Sequence, residues 1–415
     1  MNELSTTVAG PTLAEFEAAR EVVARVARQT PMESSRHLER LFGAPVRLKC
    51  ENLQRTGSYK LRGAYNRLSS LSEEERARGV VAASAGNHAQ GVAYAARELG
   101  IRATIFMPVG VALPKLEATR AYGADVVLAG ASIGETLDAA AAFADETGAV
   151  IIPPFDHHDV VAGQGTLGLE ILEQAPDATT IVVPIGGGGL AAGIASAVKQ
   201  RAAAEGRSIR VIGVQASNAA PYVASLAAGS PQQVPVVPTI ADGIAVYRPG
   251  ALNFEIIRDT IDEIVTVGED DIARALLVLL ERAKLVVEPA GAVAVAAIMT
   301  GAVPNDGPAV AVLSGGNIDP LLVQRVIAHG LAASGRYLTV RIGLPDRPGQ
   351  LVRVAELVAG THANVVEVMH TRHGRGMQIS EVEIDISVET RGPAHRTEVV
   401  EALRRAGYSP VVLDD

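Results

Sequence analysis

Short apolar runs rich in valine and isoleucine alternate with alanine-rich helical stretches from about residue 45 to near residue 335. For example, GVVAASAG is followed by NHAQGVAYAARELG, and TTIVVPIGGGG is followed by LAAGIASAVKQRAAA. Strands that are apolar along their whole length are typical of parallel sheets that helices cover on both faces. The alternation therefore predicts an open α/β fold, in which ligands bind at the carboxyl ends of the strands.

The pattern changes near residue 335, after LLVQRVIAHGLAASG, which we interpret as a last helix followed by a small-residue linker. The residues after it read as strand, helix, strand, strand, helix and strand, which is the order of a ferredoxin-like fold. In ISEVEIDISVE, apolar and charged residues alternate, as in an antiparallel sheet with one exposed face. We therefore predict a large α/β unit at residues 1–335 and a small α+β unit at residues 336–415.

Composition and charge argue against several classes of function. The 37 Lys and Arg residues and the 46 Asp and Glu residues give a net charge of −9, with no basic run to favour nucleic acid or an anionic membrane. Tryptophan is absent and aromatic residues make up 3% of the chain, so nucleic-acid bases would find few stacking partners. No stretch reaches the roughly 18–20 uninterrupted apolar residues of a membrane-spanning helix. The single cysteine, Cys50, allows no intrachain disulfide and suits a reducing cytoplasm.

Four glycine-containing loops follow predicted strands, at residues 56–60, 84–88, 186–190 and 314–317. In the first loop, Lys60 follows a Gly-Ser turn at the start of a helix, where a desolvated lysine can form an imine with a carbonyl. By itself, this loop is explained as simply by an exposed surface lysine. In the second loop, free N–H groups at the start of a helix can hold a carboxylate, although an ordinary capped turn has the same pattern.

The third loop consists of Gly186, Gly187, Gly188, Gly189 and Leu190. Its glycines let the backbone wrap around an anion, and the helix after it favours negative charge at its N-terminus, so the loop predicts phosphate binding. It lacks the Gly-Lys-Ser/Thr of a P-loop and is not a dinucleotide-binding fingerprint. Together, the four loops indicate a ligand with a phosphate and a carbonyl, and a substrate with an amino-acid carboxylate. Pyridoxal phosphate with an amino acid meets these demands.

On these residues the chain resembles the fold-type II pyridoxal-phosphate enzymes, and specifically the threonine dehydratases (threonine ammonia-lyases) with a C-terminal ACT domain. The stretches that carry the resemblance are ENLQRTGSYKLRGA, SAGNHAQGVA, GGGGLAAG, TIADGIAV, VVEPAGA and SGGN. The resemblance implies two α/β subdomains with open, mostly parallel sheets, as in the tryptophan synthase β-subunit. It also implies a lyase that converts L-threonine to 2-oxobutanoate and ammonia by β-elimination, with L-serine as a weaker substrate.

The resemblance further implies how the cofactor is held. Lys60 would be the Schiff-base lysine and the base that takes the substrate α-proton. Tyr59, at a position where phenylalanine is usual, would pack against the cofactor ring. The loop from Gly186 to Leu190 would bind the phosphate through its N–H groups. Asn87 would hydrogen-bond the ring hydroxyl, and Ser314 would face the pyridine nitrogen.

The substrate carboxylate, by the same resemblance, would lie in the loop formed by Ser84, Ala85, Gly86, Asn87 and His88. Ser84 is also a candidate catalytic residue. Glu288, in VVEPAGA, would lie close to the site, with no role that we can assign from the sequence. No metal site is expected.

Three alternatives stay open at this point. Cysteine and threonine synthases, which carry out β-replacement, typically read T-G-S-x-K-D-R, whereas this chain has Leu61-Arg62 after Lys60. Serine racemases have a second serine where this chain has Ala85, and their metal-binding carboxylates have no counterpart in residues 213–221, so we expect little racemisation and no obligatory divalent metal. A non-catalytic amino-acid sensor is the third alternative, and the intact Lys60, glycine loop and Ser314 argue against it.

Residues 336–415 resemble an ACT domain, whose most typical loop is LPDRPGQL. We predict an effector site between paired ACT domains, at Arg347, Pro348, Gly349 and Asn364. Free N–H groups there could hold the carboxylate of an amino acid, isoleucine or valine first. The alternative is that this unit only dimerises. A homodimer or homotetramer is expected in either case. Isoleucine biosynthesis and threonine catabolism both remain open as the physiological role, in a cytoplasmic enzyme.

Overall fold

The computed structural model describes residues 10–235, 237–372 and 380–413. The chain divides into two compact units, Met1–Pro320 and Leu321–Asp415. This division falls after the first residue of the helix Pro320–Ala333, whereas we placed the domain boundary after that helix, at residues 335/336. The exact boundary stays a prediction.

The strands of the first unit form two sheets. Their bounds are Met32–Ser34 (β1), Val46–Cys50 (β2), Val80–Ala83 (β3), Ala103–Met107 (β4), Asp125–Leu128 (β5), Val150–Ile151 (β6), Thr180–Pro184 (β7), Arg210–Ala216 (β8), Glu263–Val267 (β9) and Ala309–Leu313 (β10). The larger sheet has the order β1-β2-β10-β7-β8-β9 and is parallel except for β1. The smaller sheet, β5-β4-β3-β6, is parallel throughout. The predicted open, mostly parallel α/β fold is therefore confirmed.

Helices separate these strands and cover the sheets. Their bounds are Leu13–Val23 (α1), Arg36–Phe42 (α2), Lys60–Ser69 (α3), Glu73–Arg78 (α4), Asn87–Leu99 (α5), Leu113–Ala121 (α6), Ile133–Thr147 (α7), His158–Gln174 (α8), Gly189–Ala204 (α9), Pro221–Ala228 (α10), Ala251–Thr260 (α11), Glu269–Val278 (α12) and Pro289–Met299 (α13). Short 3₁₀ turns lie at Glu51–Leu53 and Asp242–Ile244, and a π-helical turn lies at Leu279–Ala283.

The centre of the larger sheet is completely buried. Every residue of β7 and of β10 is buried, which explains why these strands are apolar apart from Thr180 at the start of β7. On one face, α8 and α9 approach closely because glycines lie at their contact: a Cβ on Gly193 would come within 2.6 Å of the backbone nitrogen of Gly165. This contact fixes the start of α9, and with it the glycine loop.

Strand order explains why the predicted loops converge. β2, β10 and β7 are neighbours in the larger sheet, and their carboxyl ends lead to Lys60, to the 314–317 loop and to the 186–190 loop respectively. The 84–88 loop follows β3 of the smaller sheet. Carboxyl ends of adjacent parallel strands meet at one edge, which is where ligands bind in such sheets.

The second unit is the predicted βαββαβ arrangement, preceded by a helix. Its elements are Pro320–Ala333 (α14), Tyr337–Pro345 (β11), Gln350–Gly360 (α15), Asn364–Thr371 (β12), Glu381–Glu389 (β13), Pro393–Arg405 (α16) and Val411–Val412 (β14). The sheet has the order β12-β13-β11-β14 with antiparallel pairs. Alternate residues of β11, from Leu338 to Leu344, form its buried face, as the alternation in the sequence predicts for a half-exposed sheet.

None of the helices within the described ranges is long and apolar enough to cross a membrane.

Candidate active site

A cleft of about 390 Å³ opens where the four loops of the first unit meet. Every residue that we predicted for catalysis, for the cofactor and for the substrate lies in its wall, namely Tyr59, Lys60, Ser84, Ala85, Gly86, Asn87, His88, Gly186, Gly187, Gly188, Gly189, Leu190 and Ser314. The fold therefore brings together side chains and backbone groups that are up to about 250 residues apart in the sequence.

Lys60 is the first residue of α3, and its amine faces the cleft. The Nζ atom donates a hydrogen bond of 2.7 Å to the carbonyl oxygen of Pro154 and lies 5.3 Å from the centre of the Tyr59 ring. Burial lowers the pKa of Lys60 to about 8, although the nearby Glu288 acts in the opposite direction. A lysine amine that loses its proton near pH 8 can act as a nucleophile and as a base.

The glycine loop has no room for side chains. A Cβ on Gly187 would overlap the ring of Phe155, and a Cβ on Gly188 would overlap the hydroxyl of Tyr222. A Cβ on Gly189 would lie 2.9 Å from the carbonyl oxygen of Phe155. Gly188 has a φ of +100°, which only glycine adopts easily. The backbone alone therefore forms this wall of the cleft.

Two side chains hold the carbonyl oxygen of Gly187 in place. It accepts hydrogen bonds from the Tyr222 hydroxyl at 3.1 Å and from Asn253 Nδ2 at 3.0 Å. Among the described residues, the N–H groups of Gly186, Gly187 and Gly188 donate to no other protein group. Free N–H groups at the N-terminus of α9 form an anion site.

The 84–88 loop is held by a hydrogen bond within the loop and by a buried histidine. The N–H of Gly86 donates to Ser84 Oγ at 3.2 Å, and the His88 ring is hydrogen-bonded through Nε2 to the carbonyl oxygen of Ile152 at 2.8 Å. Burial, helped by the charge of Lys60, lowers the pKa of His88 to about 3. His88 is thus neutral and donates from Nε2, so it shapes the loop without supplying a charge.

Tyr59 and Ser314 lie side by side in the wall. The N–H of Tyr59 donates to the carbonyl oxygen of Ser314 at 3.1 Å, which joins the start of α3 to the end of β10. Burial raises the pKa of the Tyr59 hydroxyl, so this group stays neutral. The hydroxyl makes no hydrogen bond to any residue that the structure describes.

Comparison with known proteins agrees with this geometry. The family model described as pyridoxal-phosphate dependent enzyme matches residues 23–315, and the ACT domain model matches residues 338–407. The chain belongs to the pyridoxal-phosphate dependent enzymes. It is 47% identical to the L-threonine ammonia-lyase of Geobacter sulfurreducens, over 93% of this chain and 95% of that protein.

Two solved structures superimpose on about three quarters of this chain. A threonine deaminase isoform from Solanum lycopersicum superimposes with a TM-score of 0.72 and 37% identity, over 77% of this chain and 89% of that one. Maize serine racemase superimposes with a TM-score of 0.73 and 34% identity, over 76% of this chain and 97% of that one. The predicted resemblance to fold-type II enzymes with an ACT domain is confirmed.

The cleft fits the cofactor of this family. The free N–H groups of the glycine loop match its phosphate, and the amine of Lys60 matches its aldehyde carbon. A Cβ at Gly187 or at Gly188 would fill the cradle, so the loop accepts a phosphate only because these residues are glycines.

Some residues of the site were missed in the sequence. Asn317 donates from Nδ2 to Asn87 Oδ1 at 2.8 Å, and Lys115 pairs with Asp242 at 3.0 Å in the cleft wall. Asn317 and Asp242 belong to SGGN and TIADGIAV, two stretches that carry the resemblance, so the signal was present without a role attached to it. Phe155 lies in no motif that we recognised, and its place under the glycine loop had no signal in the sequence.

A second cleft, of about 380 Å³, lies in the second unit at the predicted effector loop. Arg347, Pro348 and Gly349 form part of its wall, and His370 and Arg372 contribute from the end of β12. The cleft therefore has cationic side chains beside a loop that begins a helix. Binding of an effector there stays a prediction.

Asn364 does not line this cleft within one chain, and its contribution to an effector site between paired ACT domains stays a prediction. It pairs with Glu389, which in turn pairs with Tyr337 at the start of β11, whereas the loop follows Pro345 at the end of β11. The physical reason is the helical crossover: α15 carries the chain back along the sheet, so β12 starts at the opposite end from the loop. Asn364 instead donates to Glu389 Oε2 at 3.4 Å.

Proposed function

We propose that this protein is a pyridoxal-phosphate-dependent threonine ammonia-lyase. The reaction converts L-threonine to 2-oxobutanoate and ammonia, with L-serine as a weaker substrate that yields pyruvate. The observation that carries the proposal is that the Lys60 amine, with its lowered pKa, shares one cleft with the glycine loop and with the 84–88 loop. The curated relative at 47% identity is named for the same activity.

Different residues of the cleft bind the cofactor, bind the substrate and take the proton. The 186–190 loop binds the phosphate, and the loop from Ser84 to His88 binds the substrate carboxylate through N–H groups at the start of α5. The bound cofactor supplies an electron sink that stabilises negative charge on the substrate α-carbon. Lys60 takes the α-proton, because its amine is neutral above about pH 8 and is already held at the cleft wall.

The atoms of the reaction balance with water alone. The α-proton and the hydroxyl leave as water, and one water molecule returns when ammonia is released, so no oxidant or second substrate is required. Ser314 is uncharged and faces the cleft, and a neutral partner leaves less positive charge on the cofactor ring than an aspartate would. This suits fast elimination over a long-lived carbanion.

Serine racemisation is a second candidate, because maize serine racemase superimposes well. Racemisation requires an acid or base on the face opposite to the lysine. The residue of this chain at the corresponding position, Ala85, has no proton to give. We therefore propose that D-serine formation is minor.

The deciding experiment uses the purified full-length chain. Visible absorbance should appear on addition of pyridoxal phosphate, and a panel of 3-hydroxy amino acids should give most product from L-threonine. Lys60→Ala should lose both the absorbance and the activity, whereas Lys199→Ala, on α9 away from the cleft, should keep both. Absorbance without any ammonia release would leave cofactor binding intact and overturn the proposed activity.

Regulation and assembly complete the proposal. An amino acid, isoleucine or valine first, binds between paired ACT units, at the 347–349 loop and Asn364. It changes the affinity for threonine by several-fold, which corresponds to a coupling of about 1–3 kcal/mol. The enzyme forms a homodimer or homotetramer and works in the cytoplasm. The buried Cys50 thiol, whose pKa burial raises to about 12, is consistent with a protein that does not use its cysteine in redox chemistry.

A further inference from the structure

Three polar side chains from distant parts of the chain form one line of hydrogen bonds along the wall of the cleft. Asn317 Nδ2 donates to Asn87 Oδ1 at 2.8 Å, and Asn87 Nδ2 donates to Glu288 Oε1 at 2.7 Å. Asn317 Nδ2 also donates to the backbone carbonyl oxygen of Thr56 at 2.7 Å. The line therefore begins at a backbone acceptor and ends at a carboxylate.

The ends of this line determine which way each amide points. A backbone carbonyl only accepts hydrogen bonds, so the group of Asn317 that faces Thr56 must be its nitrogen. That nitrogen has a long contact of 3.4 Å to Gln90 Oε1, but its two shorter hydrogen bonds go to Thr56 and Asn87. Nitrogen is therefore the Asn317 atom that faces Asn87, so Asn87 must present its oxygen to Asn317. Its nitrogen then faces Glu288, which accepts.

This assignment leaves one group of Asn87 unused. An amide nitrogen has two N–H bonds, and among the described residues Asn87 Nδ2 donates only to Glu288. Asn87 starts α5 and lies in the wall of the cleft, so its second N–H is available to a bound molecule. Without Glu288 and Asn317, the amide could rotate and present its oxygen instead.

The surroundings of Glu288 show that the fold makes room for its carboxylate. Glu288 immediately precedes α13, is 6% exposed, and its N–H donates to the carbonyl oxygen of Gly315 at 3.0 Å. A Cβ on Gly315 would overlap Glu288 Oε1. Burial raises the pKa of Glu288 to about 7, and Asp242 adds to the rise. A protonated carboxyl still has an acceptor oxygen for Asn87, so the contact survives in both states.

We propose that Glu288 and Asn317 are positioning residues that hold the Asn87 amide in a single orientation, so that its second N–H is presented to the ring oxygen of the bound cofactor. This inference rests on the proposed function, which supplies the cofactor and the position of its ring oxygen. It assigns a role to Glu288 and to Asn317, which act through Asn87 and not on the substrate.

The test measures cofactor affinity and visible absorbance of the full-length protein, without turnover. Asn87→Ala removes the donor and should weaken pyridoxal-phosphate binding about five- to tenfold, as expected for one hydrogen bond. Glu288→Ala and Asn317→Asp should each cause a similar loss and the same change in the absorbance band as Asn87→Ala. Glu288→Gln keeps an acceptor oxygen and should bind the cofactor within about twofold of the wild type.

A double variant separates positioning from general damage. If Glu288 acts through Asn87, then adding Glu288→Ala to Asn87→Ala should cause little further loss. Additive losses, or a Glu288→Gln variant as weak as Glu288→Ala, would overturn the proposal. Glu263→Gln, a half-exposed carboxylate on β9, is the matched control and should change nothing.

Folding and function are kept apart in the same experiment. Circular dichroism of each apo variant shows whether it folds, and if Glu288→Ala does not, Glu288→Gln and Asn317→Asp still decide the matter. A wild-type protein that binds the cofactor but does not release ammonia from threonine would remove the proposed function and leave the positioning inference to be judged by affinity alone.

Discussion

Lys60 Nζ donates a hydrogen bond of 2.7 Å to the carbonyl oxygen of Pro154, a residue 94 positions later in the chain. Lys60 starts α3 after the larger sheet, and Pro154 lies between β6 of the smaller sheet and α8. The contact therefore places the amine where the two sheets meet. A carbonyl oxygen accepts from both the charged and the neutral amine, so it orients the group without fixing its charge.

The lowered pKa of Lys60 predicts how fast the apo protein takes up its cofactor at different pH values. Only a neutral amine attacks an aldehyde, and with a pKa of about 8 the neutral fraction increases through pH 8, not near the usual 10.4. We expect the rate of pyridoxal-phosphate uptake, followed by absorbance, to rise with a midpoint near pH 8. A midpoint near pH 10 would contradict the burial of this amine.

Gly188→Ala should abolish most cofactor binding. An alanine there is strained at a φ of +100° and overlaps the Tyr222 hydroxyl, so the loop must move out of its cradle. We expect affinity for pyridoxal phosphate to fall by about 100-fold or more, measured by equilibrium titration. Gly206→Ala is the matched control, since Gly206 also has a positive φ but faces open space. It should cost stability only, about 1–2 kcal/mol.

Ala85→Ser should raise the production of D-serine from L-serine relative to pyruvate. The new hydroxyl stands in the 84–88 loop at the position where serine racemases supply a proton. General acid–base groups contribute large factors, and we expect the ratio to increase by about tenfold or more in a chiral product assay. Ala85→Gly changes the same residue without adding a hydroxyl and should leave the ratio low. Equal ratios in both variants would show that another group protonates the second face.

Glu170→Ala should destabilise the first unit severely. Glu170 accepts from buried Lys49 at 2.5 Å and from buried Arg62 at 2.8 Å, and Arg62 also pairs with Glu51. Removing the carboxylate leaves both cations buried, and among the described residues Glu51 is then the one carboxylate that pairs with either of them. This costs about 3–5 kcal/mol of unfolding free energy. Glu173→Ala, on the same helix but in an exposed pair, should cost less than about 1 kcal/mol. Denaturant unfolding of the two apo variants, side by side, compares them directly.

Amino-acid binding to the ACT unit should depend on the 347–349 loop. Arg347→Ala and Gly349→Val should each weaken the binding of isoleucine or valine to the full-length protein, measured by calorimetry and by the threonine saturation curve. Gly349 has a φ of +89°, so valine strains the loop. Asn364→Ala should also weaken binding, because we propose that paired copies share the site. Unchanged binding in that variant would mean that the site lies within one chain.

Much of the fold was predictable from local patterns in the sequence. The apolar runs of β7 and β10 and the alternation of β13 reflect burial of their own side chains. The run of glycines reflects a loop with no room for side chains. In these elements, the free energy that decides the structure comes from neighbours in sequence or from burial of one face. Lys60 was identified through the resemblance to a known family, because its own stretch is explained as simply by an exposed surface lysine.

The tertiary structure alone decided which distant groups meet. Asn87 and Glu288 are 201 positions apart. Asn87 follows β3 of the smaller sheet, whereas Glu288 precedes α13, which packs against β10 of the larger sheet. The distance of Asn364 from the 347–349 loop within one chain has the same origin, since the direction of β12 follows from a crossover helix and not from its own residues. Sequence patterns determined the elements and the chemical character of the loops. Strand order and register determined the site, because they fix which strand ends share an edge, and no local pattern records them.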